Sequence, residues 1–140
     1  MKGKTFVDTN ILVYAHDLDA GNKHKIAKEA VSRLWESKLG VLSTQVFQEF
    51  YVTLTKKIPN PIDKAIARRL IKKYFSWEVV INNPEIIIQA SEIEENYKIS
   101  FWDSLIVSAA FSQNAATILT EDFNHGQYIE GIIIKNPFLT

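Results

Sequence analysis

Four acidic residues of this chain stand where a carboxylate can do chemistry. Asp8 directly follows the apolar run Thr5-Phe6-Val7, Glu49 lies within STQVFQEF, Asp103 interrupts SFWDSLIVSAAF, and Asp122 follows Ile118-Leu119-Thr120 in ILTEDF. Taken singly, each has an ordinary reading. Asp8 can be a helix N-cap, Asp122 a turn or cap residue, and Glu49 a solvated residue off the centre of its helix's apolar stripe. With Ser100, Asp103 can form a variant capping box, SxxD, in a first turn where the helix dipole favours negative charge. Yet Phe101, Trp102, Leu105, Ile106, Val107, Ala109, Ala110 and Phe111 surround that helix with apolar side chains, which predicts a largely buried element. A carboxylate held there costs desolvation unless a partner or a metal compensates it. Acids gathered at one place repel one another, and a divalent ion relieves that repulsion. The chain has no cysteine, so a metal site must use oxygen or histidine, and oxygen-only ligands favour Mg²⁺ or Mn²⁺. The chemistry such a site supports is phosphodiester cleavage by a metal-activated water.

These acids need a scaffold that brings distant segments together. Thr5-Phe6-Val7, Val41-Leu42-Ser43, Trp77 to Ile81, Ala116 to Leu119 and Gly131 to Lys135 read as short buried strands. Between them, helical periodicity runs from Ile11 to His16, Lys23 to Ser37, Gln45 to Ile58, Asp63 to Phe75 and Pro84 to Tyr97, and from Ser100 to Asn114. Gly40 reads as a helix breaker, Thr44 as an N-cap, and Pro59-Asn60-Pro61 as a turn. Alternating strands and helices, with runs such as IIIK that lack a polar face, predict a three-layer α/β/α sandwich around a mostly parallel sheet of about five strands. Ligands of such sheets bind beyond the carboxyl ends of the strands. Asp8 and Asp122 fall at that edge, and the first turn of a flanking helix can bring Asp103 beside them.

The length and a hydrophobic fraction of 46% predict a single domain over residues 1–140. No apolar run reaches the ~20 residues of a membrane helix, and Met1-Lys2-Gly3-Lys4 leads into a strand without a signal-peptide core, so a soluble, cytoplasmic protein with no membrane partner is expected. The net charge is zero but uneven: residues 1–83 carry 14 Lys/Arg against 8 Asp/Glu, and residues 84–140 carry 2 against 8. Seven basic residues, Lys56, Lys57, Lys64, Arg68, Arg69, Lys72 and Lys73, crowd one stretch with Asp63 as its only acid. They form either a solvated helix face or an RNA-backbone track, for which Lys56, Lys57, Arg68, Arg69 and Lys72 are the candidates. The interleaved Tyr51, Tyr74, Phe75 and Trp77 read as core, and Lys23, His24, Lys25 and Lys28 as a second, weaker patch. His16, His24 and His125 make no zinc set and read as surface or loop residues.

The segments FVDTNILVY, STQVFQEF, SFWDSLIVSAA and ILTEDFNHGQ together resemble the PIN-domain ribonucleases, in particular the VapC toxins of bacterial and archaeal toxin-antitoxin pairs, over nearly the whole chain. The resemblance implies an Mg²⁺- or Mn²⁺-dependent endoribonuclease whose quartet is Asp8, Glu49, Asp103 and Asp122. Asp8 and Asp103 would touch the metal most directly, while Glu49 and Asp122 complete the cluster partly through water. Asn10 and Thr120 match supporting polar positions. Hydrolysis would leave 5′-phosphate and 3′-hydroxyl ends. The resemblance also implies an RNA substrate, with tRNA and other structured RNAs as candidates, a small antitoxin as partner, and a homodimer. Some relatives carry a further acid where this chain has Asn124, which leaves a second metal open, and Glu121 is either an extra contributor or solvated. Two rival readings remain: a PIN nuclease of RNA maturation or decay without an antitoxin, and a non-enzymatic Mg²⁺-binding module such as a response-regulator receiver. A receiver needs paired acids after its first strand and a phosphorylatable Asp after its third; this chain has a lone Asp8 and no such third-strand residue.

Overall fold

A computed structural model describes residues 3–139 of the chain. The Met1-Lys2 start, read above as lacking a signal core, lies outside the described residues. Strand β1 (Lys4–Val7) ends in the fully buried Phe6 and Val7 and leads through Asp8 into helix α1 (Thr9–His16). Helix α2 (Asn22–Ser37) is followed by β2 (Gly40–Ser43) and α3 (Thr44–Val52), which opens into a π-helical turn over Thr53–Lys57. Then come α4 (Lys64–Lys73), a 3-10 turn (Tyr74–Ser76), β3 (Glu78–Val80), α5 (Pro84–Tyr97) and α6 (Phe101–Ser112). Strands β4 (Ala115–Leu119), β5 (Tyr128–Ile129) and β6 (Ile132–Lys135) complete the chain.

The six strands form one sheet in the order β3-β2-β1-β4-β6-β5, parallel throughout except for the β5–β6 pair. This is the expected mixed α/β architecture. The chain builds outward from β1 to β2 and β3 on one side, then returns to place β4 on the other. That reversal leaves a crevice between the carboxyl ends of β1 and β4, where open α/β sheets bind ligands. Asp8 and Asp122 follow these two strands.

Several local expectations give way to tertiary packing. The sheet has a sixth strand, β5, whose two residues are too few to show a period. A two-residue turn, Glu130-Gly131, with φ of 52° and 81°, closes it onto β6, and Gly131 meets that left-handed requirement without strain. Gly40 does not break α2; Lys38, in the left-handed region, ends it. Gly40 opens β2 instead, where a Cβ would overlap the Trp77 indole. Ser43, not Thr44, caps α3 by accepting from the Val46 N–H at 3.3 Å. Regular α3 stops at Val52, short of Ile58, and β3 stops at Val80. Tyr74 and Trp77 are core residues as expected, but Phe75 is exposed and Tyr51 half-buried. His16 is no surface residue: it is half-buried against Phe50 and Tyr74, with Nε2 2.7 Å from the Tyr74 hydroxyl, and burial lowers its pKa to about 4. The expectation for α6 holds, since every residue from Ser104 to Ala110 is buried. The Ser108 hydroxyl lies 2.9 Å from both the Ile86 carbonyl and Gln89 Oε1, which fastens α6 to α5. No helix among the described residues is long and apolar enough to cross a membrane.

Candidate active site

At the crevice between β1 and β4, helices α1, α3 and α6 wall a cleft of about 660 Å³. Asp8, Glu49, Asp103 and Asp122 all line it. Asp8 is 5% exposed. Its Oδ1 accepts the Thr9 N–H at 2.7 Å, so the N-cap reading holds, and Oδ2 accepts the Thr120 hydroxyl at 2.8 Å. Burial pushes its pKa up to about 7 against the pull of these two hydrogen bonds, and the charges of Asp122 and Glu49 add to the rise. One carboxylate therefore caps a helix and remains charged only at a cost.

The expected supporting residues link the two strand ends. Asn10 Nδ2 donates to Asp122 Oδ2 at 2.9 Å and approaches Thr120 Oγ1 at 3.4 Å, while Asn10 Oδ1 accepts the Glu121 N–H. Thr120 Oγ1 also accepts the Asp122 N–H at 3.1 Å and donates its single proton to Asp8. On α3, Glu49 is exposed but held: Oε1 accepts the Thr9 hydroxyl at 2.6 Å and Oε2 accepts Gln45 Nε2 at 3.3 Å. Gln45 Nε2 also donates to the Trp102 carbonyl at 3.2 Å, which ties α3 to the first turn of α6. Asp103 sits half-buried in that turn, and its N–H donates to Ser100 Oγ at 3.0 Å, so Ser100 caps α6 as expected, but the return bond of a capping box, from the Ser100 N–H to the Asp103 carboxylate, is not made. Burial raises the Asp103 pKa, the Ser100 hydroxyl opposes the rise, and Asp122 and Glu49 add to it.

None of the four carboxylates makes an ion pair among the described residues, where the ion pairs are Lys4–Glu78, Lys23–Glu121 and Arg33–Glu29. Glu121 lies outside the cleft, partly exposed, where Lys23 at 2.8 Å and the Tyr14 hydroxyl at 2.7 Å hold it. Among the described residues no three His, Cys, Asp or Glu side chains converge into a ready-made ion cage. All-oxygen donors suit an ion that takes one or two carboxylates directly and keeps waters elsewhere, as Mg²⁺ does. Of the basic residues, Lys57 lines the cleft, whereas Lys56, Arg68, Arg69 and Lys72 are exposed outside it. His125 is exposed, accepts the Asn136 N–H at 3.0 Å and does not reach the cleft. Thr9, Gln45 and Trp102 were not anticipated. Thr9 stands beside Asp8 and Gln45 one helical turn before Glu49, but their partners lie 40 and 57 residues away, beyond any local pattern.

Comparison with known proteins bears on the fold. The PIN domain family matches residues 5–129. No curated protein matches the chain in sequence. Among solved structures, a chain of a toxin-antitoxin complex from Klebsiella pneumoniae superimposes with a TM-score of 0.70 at 20% identity, covering 96% of this chain and 98% of that one. The Mycobacterium tuberculosis toxin VapC20, described as Sarcin-Ricin loop cleaving, gives 0.64 at 21% identity over 82% and 87% of the two chains. The VapBC2 complex of Rickettsia felis, bound to a DNA fragment from its promoter, gives 0.67 at 20% identity over 94% and 97%. At these identities the structures show a shared fold, and with the family match spanning β1 to β5, the chain belongs to the PIN domain family.

Proposed function

We propose that this protein is a metal-dependent endoribonuclease and the toxin of a toxin-antitoxin pair. The observation that carries the nuclease reading is the lining of one cleft by Asp8, Glu49, Asp103 and Asp122 with no cation paired to any of them among the described residues. A site that concentrates negative charge and leaves it uncompensated is built for a bound cation, and it would repel an RNA phosphate without one. Asp8 and Asp103, whose pKa values are raised, would hold Mg²⁺ or Mn²⁺, with Glu49 and Asp122 reached through water. The ion would supply charge neutralisation at the phosphoryl oxygens and a water of lowered pKa as nucleophile.

The chain's own residues would supply preorganisation. Thr120 and Asn10 hold Asp8 and Asp122 in one hydrogen-bonded array, and Thr9 and Gln45 hold Glu49, so the carboxylates are oriented before substrate enters. Lys57 would meet a backbone phosphate at the cleft, and the exposed Lys56, Arg68, Arg69 and Lys72 would attract RNA from outside it. The antitoxin is proposed from the fold shared with chains of toxin-antitoxin complexes, and a homodimeric state from the resemblance alone. Purified protein incubated with a pool of tRNA and other structured RNAs should cut it with Mg²⁺ or Mn²⁺, and neither with excess EDTA nor as Asp103→Asn. No cutting under any of these conditions would refute the nuclease reading, whereas cutting that survives EDTA would refute its metal dependence and full cutting by the variant would refute the role of Asp103. Growth arrest on expressing the gene alone, relieved by Asp103→Asn, is the result expected of a toxin; normal growth with active enzyme would favour a maturation or decay nuclease.

A further inference from the structure

Trp102 is 64% exposed although it immediately precedes Asp103 and lines the acidic cleft. An indole left largely in water forgoes the burial that most tryptophans achieve. The side chain is nonetheless placed with care. The Phe101 ring packs against it with centroids 5.5 Å apart and an interplanar angle of 77°, and the Trp102 carbonyl accepts Gln45 Nε2. Gln45 is 6% exposed, and the same amide nitrogen that anchors Trp102 also anchors Glu49. Its Oε1 is buried and has no hydrogen-bond partner among the described residues. Lys57 lines the same cleft and makes no ion pair among the described residues, and Val52, Ile58 and Ile106 add apolar wall.

An exposed indole, a lysine and an acidic cation site in one cleft complement a ligand that is flat, π-rich and anionic. A nucleotide of an unpaired strand has that chemistry. A base within a duplex does not, because both its faces are already stacked. We propose that Trp102 and Lys57 form a subsite for one unpaired RNA nucleotide beside the scissile phosphate, its base stacked on the indole and a backbone phosphate against the ammonium. The inference rests on the ribonuclease reading and adds to it the two side chains that would hold the nucleotide.

The test is binding of a single-stranded RNA oligonucleotide carrying 2-aminopurine to the full chain, with Ca²⁺ in place of Mg²⁺. Fluorescence of the base and anisotropy of the strand are read together. Wild-type protein should quench the 2-aminopurine, because stacking on an aromatic ring quenches it. Trp102→Ala should abolish the quenching and weaken binding between about fivefold and a hundredfold, the range that loss of one base–aromatic stack produces. Trp102→Phe should restore most of both signals. Lys57→Ala should weaken binding with the quenching retained at saturation, and the complementary duplex should compete poorly. Circular dichroism of each variant checks that it is folded. Wild-type protein that binds and cuts RNA without quenching would overturn the subsite and leave the nuclease standing. So would Trp102→Ala with wild-type affinity, or a Trp102→Ala defect confined to self-association in sedimentation, which would assign the indole to a protein interface. A wild-type protein that neither binds nor cuts RNA would overturn both.

Discussion

Asp8→Asn should change stability in a way that depends on pH, and the sign follows from the burial of Asp8. The folded-state pKa is about 7 against an ordinary 3.8. Below about pH 4 both folded and unfolded chains hold the proton, and Asp8 adds no pH dependence. Between these two values the unfolded chain releases its proton while the folded chain keeps it, so stability falls as pH rises. Above about pH 7 the loss is complete, and at about 1.4 kcal/mol per unit it reaches roughly 4 kcal/mol. Asparagine never ionises and escapes this loss. It does lose the acceptor that receives the Thr120 hydroxyl, at a cost of about 1–3 kcal/mol. The variant should therefore be close to wild type at about pH 5 and more stable by roughly 1–3 kcal/mol at about pH 8, the difference growing by about 3 kcal/mol across that interval. Urea unfolding in EDTA at a series of pH values measures it. A difference that stays flat with pH, or a variant less stable at about pH 8, would refute the burial argument. Added Mg²⁺ should then reverse the order, because it stabilises only the form that binds it.

Other perturbations separate the scaffold from the site. Gly40→Ala forces a methyl into the Trp77 indole and should cost about 1–3 kcal/mol by urea unfolding, and an unchanged midpoint would contradict the contact. Thr9→Val releases Glu49 Oε1 and should weaken the apparent Mg²⁺ affinity for cleavage by about tenfold or more, with the fold intact; an unshifted Mg²⁺ midpoint would remove Thr9 from the site. Lys57→Ala should lower the slope of log affinity against log salt for single-stranded RNA by about 0.7, whereas an equal slope would place Lys57 outside the RNA path.

The parts of this account legible in sequence are those with local causes. The apolar surround of Asp103 marked α6 as buried, and the positions of Asp8 and Asp122 just after apolar runs placed them at one edge of the sheet. Their capping and turn readings and their cleft positions proved compatible, since Asp8 caps α1 with one oxygen and meets Thr120 with the other. What escaped was set by contacts far apart in the chain. Gly40 looks like a breaker until Trp77 lies over it. Glu49, exposed as its position off the apolar stripe suggests, is held by Thr9 from 40 residues away, and Glu121, readable as either solvated or an extra contributor, is taken by Lys23 and Tyr14. Phe75 and Trp102 carry the same apolar signal as the core aromatics, yet they face water.

The most direct test of the central claim, that these four carboxylates together form one divalent-cation site, is Mn²⁺ binding followed by electron paramagnetic resonance. Wild type, Asp8→Asn, Asp103→Asn and Lys23→Met would be compared. Wild type should bind saturably, both Asp variants should lose most of that binding, and Lys23→Met, which disturbs the Glu121 pair outside the cleft, should bind nearly as wild type does. Equal Mn²⁺ binding by wild type and both Asp variants would contradict the claim.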